Sequence, residues 1–205
     1  SLMQKDKNTD LIRIRYESPK TPSRTYEYNI RTKEKKIVKE QIVPSGHNRD
    51  DYIVERLECD SHDGQKIPMT ITYHKKTKID GSAHVLLYGY GSYGSSMWPA
   101  FSTSKFSLID RDIIWVTCHI RGGMEQGMKW WRDGKMMNKK NTFKDFISCA
   151  KFLIEKKYTS EKKIIAFGGS AGGLLVGNVV NQIPHLLLGA LYLDTKQHEK
   201  AASVF

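Results

Sequence analysis

The sequence predicts an α/β protein: an incomplete, doubly wound, mostly parallel sheet with antiparallel β strands ahead of it. Three observations carry this. The run Ile164-Ile165-Ala166-Phe167 is apolar throughout, as a strand buried on both faces must be. It leads into Gly168-Gly169-Ser170-Ala171-Gly172-Gly173, a G-x-S-x-G turn, and then into a segment of helical length that stops before Pro184. Two more apolar runs, 85–88 and 113–118, also end in glycine-rich loops, and open α/β sheets place their sites at the carboxyl ends of such strands.

Taken in order, residues 1–10 are polar and predicted to be loose. Strand-like runs come next at 11–16, 25–30 and 36–43, separated by Ser18-Pro19-Lys20-Thr21-Pro22-Ser23 and by a charged turn at 31–35. They predict an antiparallel meander with too little apolar surface to stand alone, and so part of a larger β structure. Pro44-Ser45-Gly46-His47-Asn48 reads as a connector. Residues 52–59 and 66–74 form a predicted hairpin in which Ile67, Met69, Ile71 and Tyr73 share one buried face. Residue Thr142 is expected to cap a helix, with Asp145 three residues on and Phe143, Phe146, Ile147, Ala150, Leu153 and Ile154 at helical spacing. The elbow strand, a helix over 171–182 and a strand over 187–193 complete the pattern.

The chain has 205 residues, 39% of them hydrophobic, which is enough for a real core. Its 33 Lys and Arg outweigh 22 Asp and Glu, for a net charge of +11. The basic residues are scattered, so a solvated basic surface is favoured over nucleic-acid binding. The cysteines Cys59, Cys118 and Cys149 are odd in number and far apart, which suggests reduced thiols. No apolar run approaches a membrane span, and the charged amino-terminal residues do not resemble a signal peptide. A cytoplasmic protein with no cofactor and no metal site is the expectation.

Ser170 is the candidate nucleophile. A strand-turn-helix elbow forces the serine into strained backbone angles, which is why glycines must flank it, and it lifts the hydroxyl to the head of a helix. A phosphate-binding or merely structural turn is the alternative. The spacing matches neither a P-loop nor a dinucleotide fingerprint.

Three motifs together resemble the prolyl oligopeptidase family of serine peptidases: Tyr88-Gly89-Tyr90-Gly91-Ser92-Tyr93-Gly94, His119-Ile120-Arg121-Gly122-Gly123, and the Ser170 turn continuing through Leu174-Leu175. The Ser-Ala-Gly-Gly form is most similar to the oligopeptidase B (protease II) branch. The resemblance implies a peptidase with Ser170 as nucleophile and the Ala171 amide and Tyr90 hydroxyl as oxyanion donors. Read from its residues alone, Tyr90 is more readily an aromatic packed on the sheet edge, and the resemblance reverses that preference. Arg121 is either a substrate-binding wall residue or half of a structural ion pair, and His119 is expected to serve packing.

The resemblance further implies two domains, residues 1–46 as the end of a β-propeller and residues 47–205 as the front of an α/β-hydrolase domain. It implies short peptides, cut after basic residues, as substrates. The family's acidic positions after the tyrosine loop are held here by Trp98 and Ala100, which weakens that preference. A serine needs a histidine and a carboxylate to activate it, in chain order Ser, acid, His. After Ser170 the chain offers only His185, Asp194, His198 and Glu199. Asp194 and His198 are four residues apart, too close for the histidine to return over the serine. The chain is therefore expected to be a partial copy with little turnover, its acid and base supplied by a second polypeptide or absent. Another α/β-hydrolase activity, such as an esterase, and a non-catalytic remnant are the rival readings.

Overall fold

The computed structural model describes residues 9–193 and Ala202–Ser203. Asp194, His198 and Glu199 lie outside the described residues. Strands β1 (Leu11–Ser18), β2 (Thr21–Asn29) and β3 (Lys35–Glu40) form the expected antiparallel meander. Its first turn is tighter than the proline spacing predicts, because Thr21 and Pro22 belong to β2 and are its buried residues. The ladder bulges between Tyr16 and Ser18, opposite Pro22, whose missing N–H cannot enter it. Residue His47 ties the meander to the first strand of a second sheet. Its ring stacks on Tyr52 at 4.9 Å, and its Nε2 lies 2.8 Å from the Lys20 carbonyl, while Lys20 donates to the Tyr52 carbonyl at 2.9 Å.

That second sheet has seven strands. They are β4 (Tyr52–Asp60), β5 (Lys66–His74), β6 (His84–Tyr88), β7 (Ile113–Cys118), β8 (Ile164–Gly169), β9 (Leu187–Leu193) and β10 (Ala202–Ser203), in the spatial order β10-β9-β8-β6-β7-β5-β4. The four strands β9, β8, β6 and β7 run parallel, with the antiparallel hairpin β4–β5 at one side. The sheet is therefore doubly wound about β6. From β6 the chain passes to β7 on one side and then crosses to β8 on the other, which opens a crevice at the carboxyl ends of β6 and β8.

Strand alternation sets the two faces. Val85, Leu87, Ile114, Val116, Ile164 and Ala166 point to one side. There they pack under two helices, α3 (Lys139–Glu155) and α4 (Ala171–Gln182). Leu86 and Trp115 point to the other side and meet Phe106 and Ile109 of α1 (Thr103–Ile109). Helix α1 and the five-residue α2 (Met128–Arg132) are additional to the expected pattern. Each is too short for helical periodicity to register.

The start of α3 corrects one expectation. The helix begins at Lys139, after Asn138, and Thr142 lies inside it, fully buried. The Thr142 hydroxyl donates to the carbonyls of Arg121 (2.8 Å) and Gly134 (3.1 Å) instead of capping its own helix. A tertiary partner has taken the bond that a cap would have used.

Candidate active site

Residue Ser170 sits between β8 and α4 with φ 53° and ψ −119°, backbone angles that cost a non-glycine residue about 1–3 kcal/mol. The neighbouring packing holds it there. A Cβ at Gly168 would lie 2.5 Å from the Gly172 carbonyl oxygen, and one at Gly172 would lie 3.0 Å from the Gly89 carbonyl oxygen. Strand, helix and the loop after β6 are thus in backbone contact, which leaves the serine exposed at the tip. Residue Ala171 is the first residue of α4, so its N–H is one of the amides with no acceptor inside the helix.

Residue Tyr90 lies beside this turn. It is half-buried, and its Cδ2 would be 3.6 Å from a Cβ at Gly172, so the tyrosine loop lies against the first turn of α4. Two contacts hold that loop: the Gly94 amide donates to the Gly122 carbonyl at 2.9 Å, and the Lys139 ammonium donates to the Gly91 carbonyl at 2.5 Å and to the Ser92 hydroxyl at 2.9 Å. The sequence contains no signal for Lys139, one lysine among many.

Arg121 is elsewhere in character. Its side chain is 2% exposed and bonded to Asp145 through Nε (2.8 Å) and Nη2 (2.6 Å), and to Asp63 through Nη1 (2.5 Å). Burial works against its charge, but the bonds to Asp145 and Asp63 outweigh burial and raise its pKa. Arg121 in turn holds the Asp63 carboxyl below the usual carboxylate range. Asp145, itself fully buried, also accepts from the Ser61 hydroxyl at 2.6 Å. Of the two roles left open for Arg121, the bonds to Asp145 and Asp63 are those of the ion pair. The buried His119 is likewise structural, with Nε2 2.9 Å from the Thr70 hydroxyl.

Two clefts flank Ser170. One, about 580 Å³, includes Gly169, Tyr88, Met97, Trp98 and Lys105 in its wall. The other, about 610 Å³, includes Ala171, Leu174, Tyr93, Trp131, Lys135 and Lys139. No described residue hydrogen-bonds to the Ser170 hydroxyl. His185 comes after α4, about 18 Å along the axis from the serine at 1.5 Å per residue.

Residues 99–191 match the prolyl oligopeptidase family, and that stretch holds α1, β7, the buried Arg121–Asp145 pair and the whole Ser170 elbow. Over that stretch the chain is similar to the prolyl oligopeptidase family. Among curated relatives of this family, it is 46% identical over 177 residues to dipeptidyl aminopeptidase BI of Pseudoxanthomonas mexicana, covering 86% of this chain and 24% of that protein. It is 43% identical over 185 residues to protease 2 of Moraxella lacunata, covering 90% of this chain and 27% of the relative. Among solved structures, oligopeptidase B from Leishmania major superposes with a TM-score of 0.82 at 39% identity, over 90% of this chain and 26% of that one. The chain spans about a quarter of the length of the family members it matches. The α/β-hydrolase sheet with antiparallel strands before it is the fold of these neighbours.

Proposed function

We propose that the chain carries the nucleophile and oxyanion half of a serine oligopeptidase site acting on short peptides, with Ser170 as nucleophile and the Tyr90 hydroxyl and Ala171 amide as donors. The backbone of Ser170 carries this reading: an exposed hydroxyl at φ 53°, at the head of α4, beside the tyrosine loop. The serine oxygen attacks the scissile carbonyl, and negative charge passes to the carbonyl oxygen. Two donors approaching from different elements stabilise that charge. Collapse expels the amine and leaves an acyl-serine, which water then hydrolyses.

The attack also requires a base for the serine proton, and that base an orienting carboxylate. No described residue fills either role, so the acid and base come from outside the described residues, in this chain or in another polypeptide. Residues 1–46 would then be the end of a β-propeller and residues 47–205 the front of the hydrolase domain, in keeping with their separate sheets. The names of the relatives, an aminopeptidase and two peptidases, support peptides as the substrate class. Cleavage after basic residues, by contrast, finds no carboxylate in the wall of either flanking cleft. Three buried cysteines without a disulfide fit a reducing compartment such as the cytoplasm, and no helix among the described residues is long and apolar enough to cross a membrane.

A fluorophosphonate probe tests the assignment. The expected outcome is slow labelling confined to Ser170 and abolished in Ser170→Ala. Labelling of a different serine would overturn the nucleophile, and fast stoichiometric labelling of Ser170 would place a working base within this chain.

A further inference from the structure

The two clefts share a chemistry that the peptidase reading leaves unassigned. Each combines an apolar wall with lysine and has no Asp or Glu in its lining. In the cleft at Ala171, Trp131, Leu174 and Met136 supply the apolar wall, and Leu174 and Met136 are 60% and 83% exposed. The Lys135 ammonium lies 3.5 Å from the Trp131 ring centre, held over the indole face and paired with no carboxylate among the described residues. Lys139 uses two of its three donors on Gly91 and Ser92 and keeps one. Two ammonium groups thus border one apolar cleft next to the residue whose amide faces the reacting carbonyl.

We infer that the cleft at Ala171 is a subsite for a carboxylate-bearing substrate side chain, its apolar stem against Trp131 and Leu174 and its carboxylate between Lys135 and Lys139. The substrates are accordingly acidic peptides, with glutamate preferred over its neutral isostere glutamine and lysine excluded. This rests on the peptidase reading of Ser170 and names the substrate class of that site. A second, independent observation agrees with it. The chain carries +11, and a surface of that sign draws acidic peptides in and repels basic ones within about a Debye length, roughly 8 Å at physiological salt. The other cleft repeats the pattern, with Lys105 lying 5.1 Å from the Trp115 ring centre and donating to the Ala100 carbonyl at 3.3 Å.

The experiment is a binding titration, so it does not depend on a catalytic base. Short blocked peptides identical except for one Glu, Gln or Lys are added to the isotopically labelled full chain, and shifts are tracked at the amides of Ala171 and Leu174 and at the Trp131 indole. The Glu peptide is expected to bind at least about tenfold more tightly than the Gln peptide, ~1.4 kcal/mol, with Lys weakest. Raising salt should shrink the gap, and Lys135→Glu should reverse the order of Glu and Lys. Equal binding of Glu and Gln, or tighter binding of Lys, at these same resonances overturns the acidic preference and leaves the site reading standing. Shifts that bypass Ala171 and Leu174 with every peptide, at the highest soluble concentration, overturn both.

Discussion

At the scale of single residues, the molecule uses two kinds of energetic expense for different ends. Ser170 stores backbone strain at the surface, held there by the close packing of β8, α4 and the tyrosine loop. Arg121 and Asp145 are costly charges placed in the interior, where they join the loop after β7 to helix α3. Removing one member of such a pair leaves an uncompensated buried charge, which typically costs about 3–5 kcal/mol, whereas removing both is close to neutral. Arg121→Met is therefore expected to lower the urea-unfolding free energy by about 3–5 kcal/mol. The double variant Arg121→Met with Asp145→Leu should recover most of that loss. A double variant no more stable than the single one would show that the bridge contributes more than charge compensation.

Among secondary-structure elements, the elbow depends on how closely β8, α4 and the tyrosine loop approach. Gly168 and Gly177 offer a controlled contrast, one at the mouth of the turn and one in the exposed middle of α4. A methyl at Gly168 would meet backbone at 2.5 Å, and backbone cannot rotate away; a methyl at Gly177 would meet nothing within 4 Å. Gly168→Ala is expected to destabilise the protein by about 1–3 kcal/mol and to move the Ser170 amide resonance. Gly177→Ala is expected to stabilise it by about 0.4–1 kcal/mol, since alanine has less chain entropy to lose in a helix. Thermal melts of the two variants check both signs.

For the molecule as a whole, alkaline pH is the expected weak point. The hydroxyls of Tyr73 and Tyr158 both donate to Glu55, at 3.1 and 2.5 Å, and Tyr52 donates to Asp110 at 2.7 Å. Burial first, and then the adjoining carboxylate, raises all three phenols above their ordinary value of 10.0, Tyr73 to about 12. A folded-state pKa raised above the unfolded one means that the stabilisation is complete below pH 10.0 and is lost as pH climbs toward about 12. Burial lowers the pKa of Lys105 and Lys139, and these two act in the opposite sense, gaining stability as they lose their protons. Three phenols that join separate strands and helices outnumber them, so urea midpoints should fall steadily above pH 10.0. Glu55→Gln, which removes one cause of the raised pKa of two of the phenols, should make that fall shallower and end it at lower pH.

Much of this architecture was legible in the order of the residues. Continuous apolar runs at β6, β7 and β8, and glycines at fixed places around Ser170, arise from local rules of burial and backbone sterics, and those rules act over a few neighbouring residues. The extent of α3, the burial of Arg121 and the convergence of Lys135 and Lys139 on one cleft were not legible. Each depends on a partner distant in the chain: Thr142 finds Arg121, Arg121 finds Asp63, and Lys139 finds Gly91. Sequence alone determined where a strained serine must sit, because a turn of that shape admits few residue types. Only the tertiary structure decided which charges are buried and which line the cleft at Ala171, because charge is cheap in water and costly inside, and nothing local says which side a given residue will occupy.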